Sequence, residues 1–149
     1  MGQRLAAVCV LISCCTAGNP LAIAQSDVKC PLNLSHLDLR YRHSGGNSQP
    51  QLNLAFTNIS ERKLTRIVFA LSILDSGGYS RSHDDDLIYS KGAYPGKPVF
   101  FRWTLIPESV DIHHTGESVE VKEVAFADGS TWRGDGSPAC TATVDFHPK

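Results

Sequence analysis

The side chains best able to do chemistry in this chain fall in two polar passages. His83-Asp84-Asp85-Asp86 brings one imidazole and three carboxylates together, and such an oxygen-rich cluster suits a hard cation such as calcium. No Asp-x-Asp-x-Asp-Gly spacing follows, so a solvated acidic loop explains the same residues. The second passage is His113-His114. Paired imidazoles invite zinc or copper, yet neighbours on a strand point to opposite faces, so this pair chelates only from an irregular loop. A composite site of His83, His113 and Asp111 would require the fold to join distant loops. The one methionine, Met1, argues against a methionine-type copper carrier.

Nucleophilic catalysis has less to work with. The sequence has no Gly-x-Ser-x-Gly elbow and no glycine-rich phosphate loop. Serine, histidine and aspartate are all present, but a triad is defined by geometry rather than composition. Glu117, Glu120 and Glu123 read as the wet face of a strand. These features point to a noncatalytic binding or structural module with no cofactor. The competing reading is a calcium- or zinc-binding domain that uses His83, Asp84, Asp86 and the His113-His114 loop.

The compartment is set by the first 24 residues. Arg4 precedes an apolar run from Leu5 to Cys15, and Ala22-Ile23-Ala24 offers small residues for cleavage, the pattern of an export signal. The run is shorter than the ~20 apolar residues that span a bilayer. Leu11-Ile12-Ser13-Cys14 resembles a lipobox and supplies the alternative, a chain lipidated at Cys14 and held at the membrane. Cleavage after Ala24 leaves residues 25–149 as one domain. Cys9, Cys14 and Cys15 leave with the leader, and Cys30 and Cys140 remain to form a disulfide in an oxidising compartment. The net charge of −1 becomes −2 when Arg4 is lost. With signs mixed along the chain, no basic stripe for nucleic acid is evident, and the expected partner is a protein or a cell-envelope component.

What must position any site is a set of strands. Leu37, Leu39, Tyr41 and His43 alternate with His36, Asp38, Arg40 and Arg42, a half-exposed first strand. Ser44-Gly45-Gly46-Asn47 turns it back. Leu52, Leu54 and Phe56, then Ile67, Phe69, Leu71 and Ile73, predict a central hairpin across Asn58 to Lys63. Val99, Phe101, Trp103 and Leu105 share a core face. Val119 and Val121 differ in parity from Val124 and Phe126, which predicts a bulge near Lys122-Glu123. Asp128-Gly129 predicts a two-residue turn that pairs Ala125 with Trp132. Cys140, Ala142, Val144 and Phe146 alternate in a last strand. About seven short strands predict an immunoglobulin-like antiparallel β-sandwich, with a small β-barrel as the alternative.

Two surface features complete the reading. Asn33-Leu34-Ser35 and Asn58-Ile59-Ser60 match the glycosylation sequon, although Asn58 equally suits turn chemistry. Phe100, Tyr89 and Tyr94 would form a contact patch if the fold clusters them on an outer face.

Asn58-x-Ser60, Ile67-Val68-Phe69, Leu71-Ser72-Ile73-Leu74-Asp75 with Gly77, and Pro95-Gly96-Lys97 before an aromatic strand together resemble the FxLYD-type extracytoplasmic β-sandwich modules of bacteria. The resemblance covers Gln51 to Trp103. Leu71, Ile73 and Leu74 stand where that family has Phe, Leu and Tyr, and the Asp is shared. It implies a packing-and-turn pattern in an exported sandwich, with no defined catalytic role.

Overall fold

The computed structural model describes residues 29–44, 47–75, 77, 79–82, 85–106 and 115–145. Among these residues the chain forms nine strands: β1 (Leu32–Ser44), β2 (Asn47–Asn58), β3 (Leu64–Leu74), β4 (Ser80–Ser82), β5 (Leu87–Tyr89), β6 (Pro98–Thr104), β7 (Gly116–Phe126), β8 (Thr131–Arg133) and β9 (Thr141–Asp145). They form two antiparallel sheets. One has the order β1-β2-β6. The other centres on β3 and β7, with β4 and β5 on the free flank of β3 and β8 and β9 on the free flank of β7. β4 and β5 share one flank end to end, as do β8 and β9. Nine strands therefore fill seven positions, three against four, in an immunoglobulin-like sandwich rather than a closed barrel.

β2 and β3 do not form the expected hairpin. β2 is flanked by β1 and β6, whereas β3 lies in the opposite sheet beside β7. Alternation alone satisfies either arrangement, because it fixes which face is apolar and not which neighbour shares the sheet. The chain crosses between layers at Asn58, which is fully buried. Its Nδ2 donates to the carbonyls of Arg62 (2.8 Å) and Ala93 (3.0 Å), and its Oδ1 accepts from the backbone N–H (3.0 Å) and hydroxyl (2.7 Å) of Ser60. All four hydrogen-bonding positions of the amide are occupied. Turn chemistry thus accounts for the Asn58 sequon, whereas Asn33 is exposed.

The interior is a chain of aromatic contacts between the layers. Phe56 meets Phe69 and Tyr89 at centroid distances of 5.8 and 5.3 Å, Tyr89 meets Phe101 at 5.0 Å, and Trp103 meets Phe101 and Phe69 at 4.6 and 5.6 Å. Most are edge-on, the favoured geometry for ring quadrupoles. The parity change in β7 is a bulge. Val68 opposes Glu123 but Phe69 opposes Val121, so Lys122 is the extra residue, and Val119, Val121, Val124 and Phe126 are all buried.

The turn after β7 is one residue longer than expected. Phe126 N–H donates to the Ser130 carbonyl and Gly129 adopts φ 84°, as in a three-residue loop closed by a left-handed residue. The register shifts accordingly: Trp132 opposes Val124 rather than Ala125 and is buried. Cys30 and Cys140 are joined, with Cα atoms 5.4 Å apart and a sequence separation of 110. The bridge ties the approach to β1 to the short 3-10 turn Pro138–Cys140 before β9. Closing so long a loop contributes on the order of 4 kcal/mol in the chain-entropy model.

Candidate functional site

The outward residues of the three-stranded sheet form a grid. Pairing places His36 beside Ala55 and Phe100, Asp38 beside Asn53 and Arg102, and Arg40 beside Gln51 and Thr104. Arg42 extends the first strand by one more outward position. This face carries an open concavity of about 760 Å³. A polar ladder crosses it: Arg40 Nε lies 2.6 Å from Asp38 Oδ2, Asn53 Nδ2 donates to Asp38 Oδ2 at 3.3 Å, and Arg102 Nε donates to Asn53 Oδ1 at 2.8 Å. Phe100 stands two residues from Arg102 on the same face and is 79% exposed.

Electrostatically the face is unbalanced. Three arginines share one carboxylate, and among the described residues only Arg40 forms an ion pair there. The other layer is matched. Arg66 and Arg133 both reach Glu123, Arg81 lies near Asp75, Arg62 meets Asp128, and Lys122 meets Asp86. The Ser130 hydrogen bonds, helped by Arg62, hold the Asp128 carboxyl below its ordinary range.

Beneath the arginine face, Glu117 of β7 is fully buried between Ile73 and Val144. This corrects its reading as part of a wet strand face. Glu117 lies on the inward side of β7 with Val119 and Val121, and Glu120 and Glu123 are only half-buried. Burial raises the Glu117 carboxyl to about 7; a hydrogen bond with the Leu39 backbone opposes the shift, and the negative charge of Asp38 adds to it.

The metal candidates do not assemble among the described residues. Asp86 is described, and its carboxylate is engaged by Lys122 Nζ at 3.1 Å. His83, Asp84, Asp111, His113 and His114 lie outside the described residues, as do residues 1–24 with Cys14. No group of three or more His, Cys, Asp or Glu side chains placed to hold a metal ion occurs among the described residues. The aromatic patch also divides. Tyr89 is buried, with its hydroxyl donating to the Gly92 carbonyl at 2.8 Å, and burial raises that phenol above its usual range. Tyr94 lies under Lys63 Nζ, and only Phe100 joins the arginine face.

The basic face escaped the sequence reading because its arginines lie on strands far apart in the chain, Arg40 and Arg42 on β1 and Arg102 on β6. The signal was present as two short alternations, Asp38-x-Arg40-x-Arg42 and Phe100-x-Arg102. What was missing was the register that places β1 and β6 on either side of β2.

No family model and no curated protein matches this chain. Among solved structures, a hypothetical protein from Peptoclostridium difficile 630 is similar at TM-score 0.50 and 12% identity, covering 70% of this chain and 87% of that one. A structural-genomics target superposes at 0.49 with 6% identity over 78% and 88%. The putative ApaA protein from Bordetella pertussis gives 0.42 with 11% identity over 78% and 95%. At these identities the likeness to the first is one of fold alone.

Proposed function

We propose that this chain is an exported, noncatalytic β-sandwich module that binds a cell-envelope component through the outer face of its three-stranded sheet. The carrying observation is the charge imbalance of that face, three arginines to one carboxylate around an exposed phenyl ring, on a molecule whose other layer pairs its arginines. A paired sheet gives its side chains a fixed spacing, and the Asp38-Asn53-Arg102 ladder fixes their order. Such preorganisation lowers the ordering cost of binding. The leader pattern and the resemblance to FxLYD-type modules support the compartment, and the long-range disulfide is in keeping with it.

The test is to express the full chain in a bacterial host and follow it by fractionation and mass. The expected product lies outside the cytoplasm, shortened by its first 24 residues, and co-sediments with envelope fragments. Simultaneous substitution of Arg40, Phe100 and Arg102 by Ala releases it while leaving the thermal midpoint within a few degrees. An uncut cytoplasmic product, or a triple variant that sediments like the parent, would overturn the reading.

A further inference from the structure

Resting on that reading, we infer that the ligand of the basic face is an acidic polysaccharide bearing carboxylates along its chain. Arg102 and Arg40 are each held by Nε, one to Asn53 at 2.8 Å and the other to Asp38 at 2.6 Å. Those contacts leave the terminal nitrogens of each guanidinium for a ligand. A planar fork presented by its terminal nitrogens matches a carboxylate in two-point geometry. Arg42 adds a third cation, with no carboxylate within 4.0 Å among the described residues.

Size selects a polymer. Arg42 and Arg102 are four residues apart along the strands and two strands apart across the sheet, which separates their Cα atoms by roughly 17 Å. A single sugar does not reach both, whereas a linear chain crosses the sheet and meets each in turn. Phe100, 79% exposed beside Arg102, offers its ring to the C–H face of a sugar. Asn53 supplies an acceptor for hydroxyl groups in the same concavity.

The alternatives fit less well. Single-stranded nucleic acid is bound by a series of stacking rings, and among the described residues this face exposes one, Phe100. An acidic peptide adding as a strand would do so on the outer edge of β1 or β6, where it runs beside the face and does not cross the sheet from Arg42 to Arg102.

Affinity electrophoresis and calorimetry on the exported protein test the inference with polygalacturonate, alginate and hyaluronate as probes. Dextran, oligo-dT and poly-glutamate serve as comparisons. The expected result is binding to at least one acidic polysaccharide that weakens with added salt. It should fall about tenfold in Arg102→Ala and in Phe100→Ala, and stay unchanged in Arg66→Ala on the other sheet. Dextran bound as tightly, with the same loss in Phe100→Ala, overturns the acidic ligand and leaves the face reading intact. Oligo-dT or poly-glutamate bound as tightly as the polysaccharides overturns the inference in favour of charge alone. Binding that ignores both substitutions overturns the face itself, and no binding to any of the three acidic polymers overturns the inference.

Discussion

Among the described residues two polar side chains are completely buried, and the fold treats them in opposite ways. Asn58 sits where the chain passes from one sheet to the other, and its amide makes four hydrogen bonds. Glu117 sits at the start of β7, seven positions further along β1 as judged by its Leu39 contact, and burial keeps its carboxyl protonated up to about pH 7. A neutral amide can be saturated by backbone and so carries structure at any pH. An acid desolvated to this degree makes stability a function of pH. One end of the molecule is therefore a fixed joint. The other end, under the basic face, responds to its surroundings.

The largest expected effect comes from the joint. Asn58→Ala removes four hydrogen bonds, leaves the Ser60 N–H without its Oδ1 acceptor and leaves the Ala93 carbonyl with Leu64 N–H alone, and should cost about 3 kcal/mol. Urea unfolding would show this as a lower midpoint with an unchanged slope. A loss below ~1 kcal/mol would mean that the connection repacks, and that Asn58 is not what steers the chain between layers.

At the other end the sign is opposite to that of a salt-bridged acid. The Glu117 carboxyl is raised in the folded protein from 4.5 to about 7. The folded state thus holds a proton that the unfolded state releases. The associated stability is fully present below pH 4.5 and is lost as pH rises through about 7, by up to about 3 kcal/mol. Glu117→Gln keeps the shape and removes the titration, so its stability relative to the parent should improve between pH 5 and pH 8. Comparing the two pH values in each protein cancels any packing cost of the amide. A parent whose stability is flat across this window would place the Glu117 charge in contact with water and remove the contrast with Asn58.

Much of this architecture could be read from residue order. The strand alternations, the β7 bulge and the Cys30–Cys140 bridge were legible because each follows from local parity or from the two cysteines that lie outside the first 24 residues. The crossing at Asn58 was not, since an Asx turn serves a hairpin and a sheet-to-sheet connection alike, and the choice rests on the tertiary partner Ala93. Glu117 was misread for a related reason. In a Glu117-x-x-Glu120-x-x-Glu123 series the charge suggests solvent, while strand parity places Glu117 with Val119 and Val121. Parity was the stronger signal, because a strand's period is fixed by its backbone whereas an acid can be accommodated by taking up a proton. The basic face needed the β1-β2-β6 register, a long-range fact that no local pattern encodes.

The smallest expected effect links the responsive end to the face above it. Asp38 lies between them, pairing with Arg40 outside and raising the Glu117 carboxyl inside through its charge. Asp38→Asn keeps an acceptor oxygen for the Asn53 amide and removes the charge. The pH midpoint of the stability loss should move downward, detected by urea melts at closely spaced pH values. Arg40 loses its carboxylate partner, so affinity for an acidic polysaccharide should rise by about threefold, the scale of one exposed ion pair. Because the same charge acts on both readouts, they should change together. A rise in affinity with no movement of the midpoint would separate the face from the buried acid. Movement of the midpoint with weaker polysaccharide binding would assign Asp38 a direct contact with the ligand, since an amide replaces the carboxylate's charge but not its full acceptor strength.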